Sequence, residues 1–168
     1  ALYAHSTLAD PGGYWDAAPG GGYVRTPDSL FCFVQEYADP MLPTTVAPGD
    51  GTLQAAYNAA SSGDILELVT GTYKGRTQTS TGRFALLFAN EDKRITIRAR
   101  PSTQPVLDGE KQANTRVIHV KSDSVLTVIG LKVTGGKVDD DGGGGAHVGG
   151  WAYFFDCTIN DNAAKDGG

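Results

Sequence analysis

Apolar residues along this chain come in short bursts that break at a bend and restart. In GDILELVTGTYKG (63–75) the run ILELV stops at Thr70-Gly71, resumes at Thr72-Tyr73 and breaks again at Lys74-Gly75. VLTVIGLKVTGG (125–136) and WAYFFDCTINDN (151–162) share the design, offset by 26 residues from Val125 to Trp151. Leu126, Val128, Leu131 and Val133 then fall on Ala152, Phe154, Cys157 and Ile159. Each segment alternates with period two, slips by one residue and alternates again. That is the pattern of two short strands meeting at a corner, each buried on one side. RITIRA (94–99) with PVLDGE (105–110), and DILELV (64–69) with GTYKGR (71–76), follow the rule more loosely. A third apolar strand precedes each later pair, in RFALLFAN (83–90), RVIHVK (116–121) and GGAHVGG (144–150).

Three short strands per unit, repeated about every 26 to 32 residues, predict a parallel β-helix. One turn cannot bury its apolar face alone, and stacking turns about 4.8 Å apart closes the backbone ladder over a continuous core. An antiparallel sandwich also uses many short strands, but hairpin signals are scarce, Asp108-Gly109 and Asp141-Gly142 being the main ones. Ahead of the first turn, TLQAAYNAASSGD (52–64) places Leu53, Ala56, Tyr57 and Ala60 at helical spacing. Thr52 reads as its N-cap and Gly63 as its stop. Such a helix is expected to cover the open end of the coil, where unpaired backbone groups invite edge-to-edge pairing.

GDGTLQAAYNAASSGDILELVTGTYKG followed by ITIRARPSTQPVLDG resembles the entry turns of the pectin-lyase-like right-handed parallel β-helix superfamily. CTINDNAAKDGG (157–168) is similar to a turn of repetitive cell-surface β-helix proteins. The resemblance covers roughly 47–168. It implies an all-β, right-handed parallel β-helix of three to four turns with a short N-terminal capping helix. It implies no single activity, because the superfamily holds lyases, hydrolases, adhesins and structural proteins. Residues 1–46 lie outside it and read as an ordered but irregular arm. This arm is rich in Gly and Pro yet carries Tyr14, Trp15, Tyr23, Phe31 and Phe33, and disordered tails are poor in aromatics.

A net charge of -5 argues against a nucleic-acid partner, and no apolar run approaches the roughly 20 residues of a membrane span. The chain opens at Ala1 without a basic and apolar leader, which is the expectation for a secreted mature chain, extracellular or at a cell surface. Two cysteines are too few for a disulfide framework. Cys32 and Cys157 are buried thiols, one internal bridge, or pairs with neighbouring molecules; the sequence leaves these three open.

A lyase of the resembled superfamily would need a base beside a uronate and calcium or Arg to neutralise the carboxylate. Asp139, Asp140 and Asp141 form the one acidic cluster, a calcium candidate without EF-hand spacing; consecutive aspartates also occur as a plain solvated turn. Candidates for the base are Arg98, Arg100, Lys132 and Lys137, and alternation turns Arg94, Thr96 and Arg98 outward as a strip that suits an acidic polysaccharide or simply keeps a face soluble. His119 and His147 have no metal-ligand spacing. The sequence expectation is therefore a non-catalytic structural subunit without a catalytic residue or an obligate cofactor. AKDGG stops where another turn would begin, beside Trp151, Tyr153, Phe154 and Phe155. Its expected partner is another copy, stacked head to tail through Trp151, Phe155 and the aromatic arm. The alternative is a polysaccharide lyase or glycan-binding module.

Overall fold

The computed structural model describes residues 42–139 and 142–165 in full and, before them, the backbone of four strands. Those four are β1 (Leu2–His5), β2 (Tyr14–Ala18), β3 (Gly22–Thr26) and β4 (Phe33–Glu36). β1 pairs with β4 and β2 with β3, both antiparallel, so one pair is nested in sequence inside the other. They belong to a compact unit of their own, Ala1–Pro40.

The second unit, Met41–Gly168, is a β-solenoid of about four turns. It begins with β5 (Thr44–Val46), α1 (Thr52–Ala59), β6 (Ile65–Leu68), β7 (Thr72–Tyr73), β8 (Thr77–Gln78) and β9 (Phe84–Ala89). It continues with β10 (Arg94–Ala99), β11 (Val106–Asp108), β12 (Thr115–Val120), β13 (Val125–Ile129), β14 (Lys132–Thr134) and β15 (Lys137–Val138). β16 (Ala146–Val148), β17 (Trp151–Phe155), β18 (Thr158–Ile159) and β19 (Ala163–Ala164) complete it. β5, β6, β10, β13 and β17 make the first sheet, all parallel. β7, β11, β14 and β18 make the second, also parallel. β9, β12 and β16 run parallel in the third. There β8 joins β9, and β15 joins β12, as antiparallel exceptions.

In-register parallel pairing stacks like positions into columns, which is why the apolar alternation recurs. Leu66, Ile97, Val128 and Phe154 form one inward column, and Tyr73, Leu107, Val133 and Ile159 another. The 26-residue offset is the true register: Val125 faces Trp151, Lys132 faces Thr158 and Lys137 faces Ala163. The slip of phase in each repeat is a corner residue in the left-handed region. Gly130 (φ 73) fills it in one turn and Asp156 (φ 51) in the next. A single left-handed residue turns the chain sharply, and Gly or Asp takes that conformation at least cost. Gly71 (φ 146) makes the corner of the first turn, and a Cβ there would lie 2.6 Å from Pro48.

The helix starts differently from the sequence expectation. Gly51 (φ 69) is the N-cap, with no side-chain cap, and Thr52 is the first helical residue. The Thr52 hydroxyl instead donates to the Ala47 carbonyl at 2.9 Å. The helix ends at Ala59, before Gly63, because the next backbone donors are claimed elsewhere. Ser61 N–H donates to the Asp64 carboxylate (2.8 Å) and Gly63 N–H to the Arg94 carbonyl (2.7 Å), committing the chain to the strand below β10.

Candidate functional site

The two ends of the solenoid differ. At the α1 end, Leu53 and Tyr57 are buried in the core. Between them Gln54 uses its carboxamide as a peptide group would. Its Nε2 donates to the Phe88 carbonyl (3.1 Å) and its Oε1 accepts from Phe88 N–H (2.6 Å). One side chain thus occupies the place of a neighbouring strand on β9 and satisfies two buried backbone groups. The lower edge of β7 is closed as well: Gly51 N–H donates to the Lys74 carbonyl (2.9 Å) and Lys74 N–H to the Gly49 carbonyl (3.0 Å).

The opposite end is open among the described residues. β17, β18 and β19 are each the last strand of their sheet. Leu126, Val128, Leu131 and Val133 are fully covered one turn below, whereas Ala152, Phe154 and Cys157 are half-buried and Ile159 is 45% exposed. The outward residues of β17 are more exposed still: Trp151 at 65%, Tyr153 at 47% and Phe155 at 53%. Of the large apolar side chains exposed among the described residues, only Leu42 lies far along the chain from this last turn, Val148 being its immediate neighbour. Exposed apolar residues scattered singly are normal, but a contiguous group marks an interaction surface.

The outer face of the first sheet runs from this aromatic row to a basic strip. Register aligns Trp151 over Val125 and Arg94, Tyr153 over Thr127 and Thr96, and Phe155 over Ile129 and Arg98. Arg94 and Arg98 lie outward as alternation predicts, with Ile95 and Ile97 buried between them. Glu67 on β6 takes Arg98 Nη2 at 3.0 Å and Arg100 Nε at 2.9 Å, and Arg100 Nη2 also donates to Thr45 on β5 (2.9 Å). The Arg100 hydrogen bond, followed by Arg98, holds the Glu67 carboxyl below its ordinary range against the opposing effect of burial. This carboxylate pin across β5, β6 and β10 is invisible in sequence, because its members lie 31 and 33 residues apart.

In the third sheet Phe88, His119 and His147 share a column. His119 packs at 5.1 Å from Phe88 and 4.9 Å, edge-on, from His147. Burial first, then His147, Arg116 and Arg83, push the His119 imidazole down to about 4. His119 is therefore a covered member of an aromatic stack, flanked by fully buried Ile118 and Val120.

Other candidates are placed less informatively. Asp139 is exposed in the bend after β15, and Asp140 and Asp141 lie outside the described residues. Among the described residues no three His, Cys, Asp or Glu side chains converge as metal ligands. Lys132 is half-buried on β14, and Lys137 is exposed on β15. Tyr14, Trp15, Tyr23 and Phe33 lie on strands whose backbone alone is described, and Phe31 and Cys32 fall outside the described residues. Cys157 is a free, half-buried thiol whose Sγ donates to the Phe155 carbonyl (3.2 Å). No helix among the described residues is long and apolar enough to cross a membrane.

Comparison with protein-family models, with curated proteins and with solved structures finds no match for this chain.

Proposed function

We propose that this chain is a secreted, non-catalytic structural module of the pectin-lyase-like β-helix superfamily, working outside the cell or at its surface by joining copies of itself through the open end. The observation that carries this reading is the state of the last turn. Among the described residues three strand edges there lack a neighbour, and the inward side chains of that turn are half-exposed. An edge of that kind templates another chain unless charge, proline or a covering element blocks it. β17 has no charged residue and no proline. Sedimentation velocity of the 168-residue chain across a wide concentration range tests the reading. Association that rises with concentration is expected, and a monomer at every concentration would refute it.

The outer face of the first sheet supports a second reading, a glycan-binding module. Aromatic side chains at every second residue of β17 stand about 6.7 Å apart, flat surfaces on which sugar rings stack. Arg94, Arg98 and Arg100 against the single carboxylate of Glu67 leave that face basic in a chain of net charge -5. An acidic polysaccharide suits both features. Calorimetric titration with polyuronate oligomers tests it: binding lost in Arg94→Ala and Trp151→Ala supports it, and absent binding at low salt sinks it.

A further inference from the structure

Strand register brings together two imidazoles that the sequence keeps far apart. His119 on β12 pairs with His147 on β16, so both side chains leave the same face of neighbouring parallel strands. Their rings lie 4.9 Å apart, edge to face, and Phe88 on β9 closes the column from below at 5.1 Å. His119 is only 8% exposed, and its Nδ1 is buried without a hydrogen-bond partner. A buried ring nitrogen of that kind is uncommon in native proteins and points to a role beyond packing. Independently of the assembly reading, we infer that His119 and His147 form a two-coordinate site for a monovalent copper ion.

The donors and their surroundings select the ion. A metal takes imidazole in its neutral form, and burial, then His147, Arg116 and Arg83, keep His119 neutral down to about 4. Neutral imidazole suits copper, zinc, iron and nickel. Zinc asks for three or four protein ligands, and among the described residues no third His, Cys, Asp or Glu side chain joins these two. A divalent ion would also set a double charge near the Arg116 and Arg83 guanidiniums without a carboxylate ligand to offset it. Cuprous copper avoids both difficulties, because its filled d shell accepts two nitrogens in line and it carries a single charge. Two metal–nitrogen bonds of about 2 Å place the nitrogens about 4 Å apart, close to the roughly 4.8 Å between neighbouring strands. The apolar ring of Phe88 and the burial of His119 limit access of water, which favours the cuprous state over the more strongly hydrated cupric one.

The probe is cuprous ion itself, added without oxygen as its acetonitrile complex to the full chain carrying Cys32→Ser and Cys157→Ser, so that thiols cannot compete. Equilibrium dialysis counts the bound metal, X-ray absorption at the copper edge reads its neighbours, and circular dichroism checks the fold. One copper per chain with two nitrogen neighbours is expected. His119→Phe, which repeats Phe88 of the strand below, and His147→Phe are each expected to weaken binding at least about tenfold. A chain that retains no copper would overturn the site, and so would copper held equally well by both folded variants. Zinc or nickel bound in preference to cuprous copper would overturn the choice of ion. If a Phe variant loses its fold, proton resonances of the wild-type imidazoles decide, since cuprous copper is diamagnetic. Those of His119 and His147 must both shift on titration while His5, the third histidine, stays in place, and any other pattern refutes the pair.

Discussion

Replacing Gln54 by Leu tests the closure of the α1 end, and also removes the hydrogen bond that Gln54 Nε2 donates to Asn58 Oδ1 (2.8 Å). Leu is one bond shorter than Gln and cannot bond the Phe88 backbone, so one donor and one acceptor, both buried, lose their partners. An orphaned buried polar group costs about 1–3 kcal/mol. Better helix propensity and added apolar burial return a fraction of that, giving a net loss of about 2–4 kcal/mol. With an m-value of about 2 kcal/mol per molar urea, the midpoint falls by roughly 1–2 M. Urea unfolding followed by far-ultraviolet circular dichroism measures the shift. Hydrogen exchange at Phe88 N–H reads the same change locally, and its protection is expected to fall with the loss of Gln54 Oε1. Gln54→Glu is the companion variant: it keeps an acceptor for Phe88 N–H but sets a carboxylate against the Phe88 carbonyl, and should be at least as damaging near neutral pH. A Gln54→Leu midpoint within about 0.2 M of wild type, with Phe88 exchange unchanged, would refute the view that this carboxamide stands in for a strand.

Three further outcomes are expected. His119 titrates near 4 in the fold against 6.5 in the free side chain. Stability is therefore fully present above pH 6.5 and declines as pH falls toward 4, by no more than about 3 kcal/mol, because the unfolded chain binds the proton first. His119→Phe, which repeats Phe88 of the strand below, should flatten that part of the pH profile, and an unchanged slope would assign the effect elsewhere. Glu67 acts lower on the scale: its depressed carboxyl contributes stability above the ordinary carboxylate range that is lost as pH drops through its lowered value. Glu67→Gln should make acid unfolding less steep and less sensitive to salt, checked by pH titration of intrinsic fluorescence. Gly71→Ala combines an unfavourable φ with a clash against Pro48 and should lower stability by about 1–3 kcal/mol in thermal unfolding, whereas a neutral result would mean that the corner relaxes freely.

Local pattern determined much of this molecule. β10 occupies the residues of RITIRA, and the 26-residue repeat is the register of β13 on β17 and of β14 on β18. Both were legible because a solenoid stacks like on like: its long-range pairs are copies of one short-range alternation, and a corner announces itself as a slip of phase. The exposed aromatic row at the last turn was legible for the same reason. What departed from the repeat was not legible. Thr52 has the chemistry of an N-cap, yet Gly51 takes that position because a left-handed residue sets the angle at which α1 enters. Gln54 looks like an ordinary polar residue of an amphipathic helix until the fold brings Phe88, 34 residues away, within its reach. Glu67 gains its role only when β10 is laid beside β6, and β8 and β15 pair antiparallel in a sheet whose sequence pattern reads as parallel. Periodicity therefore determined the coil and its inward face. Tertiary structure decided how the α1 end is closed, because that closure depends on individual hydrogen bonds between distant residues, and no repeat encodes those.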